Sequence, residues 1–491
     1  MLRTIRIILA ALCFTGITLL FLDFTGATHA FLGWLAKIQL LPAILSANFA
    51  VIAALLLLTL IFGRVYCSVI CPLGVMQDII AWLGRRGKKK NRYKYSYSRP
   101  KTWLRVVMLV IMAASIVFGI SAVTALLAPY SAYGRIASSF FAPLYALVNN
   151  LFAGLAERAG SYAFYTTVVW GKATVVVLVA AVTLVALAIL AWKNGRTYCN
   201  TICPVGTLLG FVSRFSLFKP VIDTDKCISC KLCEKSCKAA CIDIYKYKID
   251  RSRCVACMDC ISNCPNGAIS YKIERKAKAQ PAVDASRRAF VATAGILAAS
   301  AAQAKARKGN SLVGQVVAKN NPAPEVRLTP PGSQSHKNLE SKCIGCQLCV
   351  QACPNNVLMA STSLEHLLQP EMIYNESYCR PECNRCGNVC PTGAIKPVSL
   401  EEKASTQIGH AVWHPWLCVP VTEGDSCGNC ARHCPSGAIT MVDYDGIDGK
   451  TVKVPAVDES KCIGCGACQS VCPTRPVSAI QVEGHEVHKL I

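Results

Sequence analysis

The sequence predicts a helical membrane domain with four spans, followed by small α+β domains that are organised by cysteine motifs. Three observations support this division. The chain of 491 residues is 53% hydrophobic with a mean hydropathy of +0.37, which indicates a membrane portion. Its net charge of +24 is uneven, because residues 1–220 hold 21 Lys and Arg against three acidic residues. It also contains 30 cysteines, most of them in short and regular groups.

Four apolar stretches are each long enough to cross a bilayer, and they cover roughly residues 5–22, 43–63, 103–128 and 170–192. Arg3 and Arg6 lie at the start of the first stretch, and the segment 64–101 is rich in Arg and Lys. The loops 23–42 and 129–169 hold few basic residues. Because cytoplasmic loops carry the excess of Lys and Arg, we expect a cytoplasmic N-terminus and two periplasmic loops. Nucleic-acid binding explains this charge pattern less well.

Six groups of four cysteines repeat or lightly modify the pattern C-x2-C-x2-C-x3-C, and five of them are followed by proline. The groups are Cys227, Cys230, Cys233 and Cys237; Cys254, Cys257, Cys260 and Cys264; Cys343, Cys346, Cys349 and Cys353; Cys379, Cys383, Cys386 and Cys390; Cys418, Cys427, Cys430 and Cys434; Cys462, Cys465, Cys468 and Cys472. Disulfides fit poorly because the thiols are too closely spaced, and zinc usually takes two separated pairs. The spacing predicts six [4Fe–4S] clusters in α+β ferredoxin-like domains.

In two-cluster ferredoxins the fourth cysteine of each group ligates the partner cluster. We therefore expect Cys264 to complete the first group and Cys237 to complete the second. Lys238 stands where the first group should have proline, and Cys241 is either a spare thiol or a substitute ligand. Among the last four groups, spacing leaves open whether partners are sequential or nested.

Arg287 and Arg288 lie in the sequence S-R-R-A-F before a modestly apolar run at 292–304, which matches a twin-arginine export signal. The run is expected to stay as a possible fifth span, although cleavage after it or a buried soluble helix are alternatives. The predicted domains are a membrane domain at 1–220, a cytoplasmic ferredoxin domain at 221–275, a signal and linker at 276–335, and a periplasmic four-cluster domain at 336–491.

Two segments of the membrane domain repeat each other. Residues 63–74 (GRVYCSVICPLG) and 195–206 (GRTYCNTICPVG) are identical at eight of twelve positions. Such a parallel repeat tends to place a site between its halves. Cysteines at i and i+4 share a helix face and the following proline can begin a new helix, so four thiols are expected to converge. The sequence leaves four interpretations open for Cys67, Cys71, Cys199 and Cys203. They are simple packing, a dithiol relay, an additional cluster and a quinol contact.

Other cofactors are not indicated by the sequence. His29 is the only histidine before His336, which argues against a haem held by two histidines in the bundle, and no C-x-x-C-H motif is present. No Rossmann or P-loop fingerprint predicts a nucleotide site. Asp23, His29 and Asp78 are weak candidates as proton acceptors, and we expect each to be a solvated polar residue.

Taken with these motifs, residues 1–275 resemble the NapH/MauN family, with four spans, two C-x3-C-P motifs and a cytoplasmic cluster pair. Residues 286–491 resemble the NapG/MauM-type periplasmic ferredoxins, with a twin-arginine signal and four clusters. The resemblance implies a fusion of the two that acts as a quinol dehydrogenase in the bacterial inner membrane. Its expected partners are membrane quinol, the twin-arginine export machinery, and a periplasmic reductase of the nitrate-reductase kind or a cytochrome acceptor.

Two other functions remain open at the level of sequence. The cytoplasmic clusters are also compatible with a relay that carries electrons from a cytoplasmic donor to periplasmic targets without quinol. A factor that assembles or maintains a metal centre in a partner enzyme is the other alternative.

Overall fold

The computed structural model describes residues 2–23, 25–85, 95–161, 166–167, 173–273, 318–445 and 451–491. A helical domain comes first and is followed by a small α+β domain at 218–273. A larger α+β domain begins at residue 318. Arg287, Arg288 and the apolar run at 292–304 lie outside the described residues, so the export signal and the fifth span stay predictions.

The helical domain is built from long helices and short half-length ones. They are α1 Leu2–Leu22, α2 Ala27–Leu32, α3 Trp34–Lys37, α4 Leu40–Leu45, α5 Phe49–Phe62, α6 Tyr66–Val69, α7 Pro72–Leu83, α8 Thr102–Val117, α9 Ser121–Leu127, α10 Pro129–Ile136, α11 Ala142–Arg158, α12 Thr174–Asn194, α13 Thr197–Thr201 and α14 Pro204–Val212. A π-helical stretch, Ala137–Phe141, joins α10 to α11. As expected, Pro72 and Pro204 each begin a new helix after a C-x3-C motif.

Three helices in the described residues are long and apolar enough to cross a membrane, and they are Leu2–Leu22, Pro129–Arg158 and Thr174–Asn194. The predicted stretch 43–63 holds a shorter helix because Asn48 caps α5, accepting a hydrogen bond from the Val51 amide at 3.2 Å. The stretch 103–128 is interrupted at Gly119, where φ is +70°. The predicted four spans are therefore confirmed only in part.

Residues 129–169 were expected to be a loop between spans, but the segment is mostly helical, and Pro129–Arg158 is long and apolar enough to cross a membrane. Arg135 lies within this helix, and its side chain is fully buried. It donates hydrogen bonds of 2.6 Å to the Ala125 carbonyl and to the Ser131 hydroxyl. Both bonds use the same terminal nitrogen of the guanidinium, and in the described residues its Nε and other terminal nitrogen have no hydrogen-bond partner.

The domain at 218–273 has the small-strand build that the cysteine spacing predicts. Its elements are β1 Phe218–Ile222, α15 Leu232–Ser236, β2 Ile242–Asp243, β3 Lys248–Ile249, α16 Asp259–Ser262 and β4 Ile269–Ile273. Strand β1 pairs antiparallel with β4, bringing Phe218 opposite Ile273, and β2 pairs with β3. The cysteine groups therefore lie between two short two-stranded sheets.

The C-terminal domain repeats this build. Its helices are α17 His336–Lys342, α18 Leu348–Ala352, α19 Arg385–Val389, α20 Leu400–Ala404, α21 Val419–Thr422, α22 Asn429–Arg432 and α23 Ala467–Val471. Its strands are β5 Leu358–Ala360, β6 Pro370–Met372, β7 Thr406–Trp413, β8 Ile439–Asp445, β9 Thr451–Val457 and β10 Ile480–Leu490. The antiparallel pairs are β5 with β6, β7 with β10, and β8 with β9.

Residues 318–335, predicted as the end of a linker, pack against this C-terminal domain. Leu328 is buried, and its carbonyl accepts a hydrogen bond of 3.0 Å from the Met372 amide. Lys319 donates through its Nζ atom to the Gln469 carbonyl at 2.7 Å. These contacts extend the folded domain in front of residue 336.

Candidate iron–sulfur sites

The structure gathers the cysteines of the N-terminal ferredoxin domain around two cavities. One cavity, named set A, is lined by Cys227, Cys230, Cys233 and Cys264. The other, named set B, is lined by Cys237, Cys254, Cys257 and Cys260, with Cys241 beside them. Both sets have the crossed composition that ferredoxin spacing predicts, since each takes its fourth cysteine from the other group.

The thiols of these two sets are held in a low-polarity environment. Burial raises the pKa of Cys233 in set A to about 11 and that of Cys257 in set B to about 12. A [4Fe–4S] cluster takes its ligands as thiolates, so cluster binding must displace protons from these groups. Four converging thiols around one cavity fit the cluster in number and in kind.

Cys241 lies inside set B rather than away from it. It is almost fully buried, and its sulfur is 3.6 Å from that of Cys237. The hydrogen bond between them lowers the pKa of Cys237 to about 7 and raises that of Cys241. Cys241 is therefore a direct neighbour of the ligand set rather than a distant spare thiol.

The four groups of the C-terminal domain combine in sequential pairs, again with crossed fourth cysteines. The cysteines of each set lie near enough to affect one another electrostatically, and those of set III also line one cavity. Set I comprises Cys343, Cys346, Cys349 and Cys390; set II comprises Cys379, Cys383, Cys386 and Cys353; set III comprises Cys418, Cys427, Cys430 and Cys472; set IV comprises Cys462, Cys465, Cys468 and Cys434. Of the two pairings that spacing left open, the structure has the sequential one.

These four sets follow one another in the order I, II, IV, III. Sets I and II adjoin because α18, which carries Cys349, packs against α19, which carries Cys386. Sets II and IV are joined by a backbone hydrogen bond of 3.0 Å from the Cys379 amide to the Cys465 carbonyl. Sets IV and III adjoin because α23, which carries Cys468, packs against α22, which carries Cys430. The spatial order therefore differs from the order along the chain.

Tyr374 fills the space between sets II and IV. Its ring is fully buried, and its hydroxyl donates to the Gly464 carbonyl at 2.9 Å. A Cβ atom on Gly466, where φ is +79°, would lie 2.2 Å from this ring. Glycine is required there both by its backbone conformation and by the close approach of Tyr374. The cysteine spacing did not predict a role for this tyrosine.

Set I lies against the helical domain. The Ser131 hydroxyl in α10 donates to the Gly345 carbonyl at 3.2 Å. Gly134, one helical turn later, approaches so closely that an added Cβ would be 2.3 Å from the Cys346 carbonyl oxygen. Tyr130, fully buried in the same helix, interacts with Cys346. One end of the series of sets thus contacts the apolar helices directly.

Asp78 joins the N-terminal ferredoxin domain to the helices, and it is not the solvated residue that was expected. It is buried and accepts from Arg6, from Arg196 at 2.8 Å and from Lys238 at 3.2 Å. Lys238 also pairs with Asp259 at 3.1 Å, next to set B. The lysine that replaces the expected proline is therefore a contact between domains. Asp23 was also expected to be solvated, but it is buried.

The four cysteines of the C-x3-C-P motifs converge, and each is buried. Gln77, six residues after Cys71, donates through its side-chain amide to the Cys199 sulfur at 3.3 Å. The two repeats also reach across to each other, because Arg196 donates to the Cys67 carbonyl at 2.7 Å and Arg64 donates to the Cys199 carbonyl at 3.2 Å. The two halves of the repeat therefore meet, and their cysteines lie on either side of these contacts.

Comparisons with known proteins agree with these sites. Models described as 4Fe-4S binding domains match residues 46–91 with 174–222, 224–243 and 247–270, and a 4Fe-4S dicluster domain matches 342–419 with 425–475. The ferredoxin-type methylamine utilization protein MauM of Methylobacillus flagellatus is 32% identical over 176 residues, which are 33% of this chain and 71% of that protein.

Two further relatives broaden the comparison. The ferredoxin-type protein NapG of Escherichia coli is 32% identical over 30% of this chain and 66% of its own length. The methylamine utilization ferredoxin-type protein MauN of Paracoccus denitrificans is 28% identical over 42% of this chain and 57% of its own length. No solved structure matches the chain.

Proposed function

The chain belongs to the MauM and NapG family of ferredoxin-type iron–sulfur electron-transfer proteins, fused with a NapH/MauN-like part, and on that premise we propose that it is a quinol dehydrogenase. Electrons from membrane quinol enter at the helical domain. They leave through the C-terminal domain to a periplasmic reductase of the nitrate-reductase kind or to a cytochrome. The helical domain lies in the bacterial inner membrane, with a cytoplasmic N-terminus and a periplasmic C-terminal domain.

The observation that carries this proposal is the contact between set I and helix α10. Quinol is confined to the membrane, so a soluble domain that receives its electrons needs a carrier site at the surface of the apolar helices. Gly134 and Ser131 provide that surface, and they hold the backbone at Gly345 and Cys346 in direct contact. The remaining sets then lead away from the helices.

The six sets are proposed to hold one [4Fe–4S] cluster each, with the 24 cysteines named above as ligands. When bound, each cluster supplies a one-electron carrier. The chain's own residues fix the order of these carriers, since the hydrogen bond between Cys379 and Cys465 keeps sets II and IV together. Set III is the exit, and Trp416, two residues before Cys418, is 69% exposed there as a contact for an acceptor.

A specific observation favours the second candidate, the relay from a cytoplasmic donor. Cys230 of set A is exposed, so this set is open to a soluble electron donor. Sets A and B would then be the entrance, and quinol would take no part. The two functions differ in which donor reduces the protein.

The test is anaerobic mixing of the full chain, purified in detergent with its clusters, with a quinol analogue or with a reduced ferredoxin. Loss of the visible cluster absorption reports reduction. The quinol analogue is expected to bleach the protein rapidly. No bleaching by the quinol analogue together with rapid bleaching by the ferredoxin would reject the quinol dehydrogenase and leave the relay.

A further inference from the structure

The two C-x3-C-P motifs form the halves of one site with approximate twofold symmetry. Beyond the crossed arginine contacts, each half places a glycine against its own first cysteine. A Cβ on Gly74 would lie 2.2 Å from the Cys67 carbonyl oxygen, and one on Gly206 would lie 2.4 Å from that of Cys199. Neither glycine tolerates a side chain without movement of backbone. The same close packing is thus built twice around four cysteines.

The number of cysteines in each half is informative. The segments 46–91 and 174–222, which match a 4Fe-4S binding domain, contain two cysteines each. Iron–sulfur clusters of the common types are held by four cysteine thiolates. Neither half can therefore hold a cluster alone, whereas the converged halves offer the complete set Cys67, Cys71, Cys199 and Cys203.

The sulfur atoms in this site receive hydrogen bonds rather than only apolar contacts. The Gln77 side-chain amide donates to Cys199 at 3.3 Å, and the Gly206 backbone amide donates to Cys203 at 3.3 Å. The Arg64 guanidinium lies 3.8 Å from the sulfur of Cys67. Donors of this kind stabilise sulfur that carries negative charge, as cluster-ligating thiolates do.

The buried positive charge of Arg64 also favours an anionic group at this site. Arg64 is fully buried, and its hydrogen bonds go to neutral acceptors, namely Asn200 Oδ1 at 2.9 Å, the Ser252 carbonyl at 3.0 Å and the Cys199 carbonyl. In the described part of the chain its Nε atom has no partner. A buried cation without a counter-charge is strongly destabilising. A cluster on the four thiolates is anionic and adds negative charge beside Arg64, which lies 3.8 Å from the Cys67 sulfur.

We infer that Cys67, Cys71, Cys199 and Cys203 bind one additional iron–sulfur cluster that the two repeats share. The site adjoins set B, because the Arg64 guanidinium donates to the Ser252 carbonyl, two residues before Cys254. On its other side, α7 begins directly after Cys71 and packs against α10, whose Gly134 lies against Cys346 of set I. The cluster accepts one electron and passes the same electron on, with no bond made or broken. It links the two ferredoxin domains through the helices.

The experiment counts clusters by native mass spectrometry on the full chain, purified anaerobically in detergent. Three variants are compared: Cys67→Ser with Cys71→Ser, Cys199→Ser with Cys203→Ser, and all four together. Cys13→Ser, at a free cysteine in α1, is the matched control. Each double variant is expected to lose the inorganic mass of one cluster, and the quadruple variant is expected to lose no more than that.

Two results would overturn the inference. A quadruple variant that loses twice the mass lost by each double variant would mean two separate centres. Variants with the same inorganic mass as Cys13→Ser would mean that the thiols only pack or form a dithiol. If the variants fail to fold, the wild-type mass decides, because six [4Fe–4S] clusters and nothing further would contradict a seventh centre. No quinol is used, so a negative result here is distinct from failure of the proposed function.

Discussion

The contact between Gly134 and Cys346 predicts that Gly134→Ala loosens the attachment of set I to the helices. The added methyl group would be 2.3 Å from the Cys346 carbonyl oxygen and 2.9 Å from the ring of Phe21, roughly 1 Å short of ordinary contact with the oxygen. Overpacking of this kind costs about 1–3 kcal/mol. At about 1.4 kcal/mol per tenfold change, the attached state is disfavoured by about 5- to 150-fold.

Hydrogen–deuterium exchange on the full chain in detergent measures this effect at the amides of residues 343–352. Exchange there is expected to accelerate by a factor in that range, since local opening governs exchange of protected amides. Gly154→Ala is the matched control, because Gly154 lies in the same long helix and a Cβ there meets nothing within 4 Å. That control is expected to be neutral or slightly stabilising. Equal exchange in the two variants would refute the packing argument.

Three further predictions concern stability of the full chain. Asp78→Asn removes the carboxylate shared by three buried cations, and thermal unfolding is expected to show that the free energy of unfolding falls by about 3–5 kcal/mol. An unchanged unfolding midpoint would contradict the role of Asp78 in holding these cations. Tyr374→Phe leaves the buried Gly464 carbonyl without its donor and is expected to cost about 1–3 kcal/mol in the same measurement, whereas no loss would mean that the hydroxyl contributes nothing. Burial holds the pKa of His488 at about 4, below the ordinary 6.5. Between these two pH values the unfolded chain binds a proton that the folded chain does not, so the free energy of unfolding falls as the pH drops from 6.5 towards 4. His488→Gln is expected to remove up to about 3 kcal/mol of this loss, and identical pH profiles for the two proteins would reject the assignment.

Cysteine spacing predicted the grouping of the ligands because it acts locally. In four of the six groups the first three cysteines lie within seven residues and can only face one small volume. The crossed fourth cysteine follows from the pseudo-symmetric ferredoxin build. The repeat around Cys67 and Cys199 was also predictable, because the two segments share identical residues. These features depend on residues that are near in sequence or that are copied within it.

The remaining features depend on contacts between distant residues. Helix α10 lies in a segment that was predicted as a loop, and its buried Arg135 is held by partners at Ala125 and Ser131 that no sequence pattern shows. Asp78 looked solvated because its cations come from α1, from the second repeat and from Lys238. The order of the sets likewise depends on a backbone hydrogen bond between Cys379 and Cys465, which no spacing encodes.

The measurement that tests the central claim most directly compares two variants during reduction by a quinol analogue, with reduced clusters counted by electron paramagnetic resonance. One variant lacks set I through Cys343→Ala with Cys346→Ala, and the other lacks set III through Cys418→Ala with Cys427→Ala. Both remove one set from the same domain, so each controls for the other. If electrons enter through set I, its loss leaves sets II, IV and III oxidised, whereas loss of set III leaves sets I, II and IV reducible. Reduction of the outer sets without set I would contradict the account.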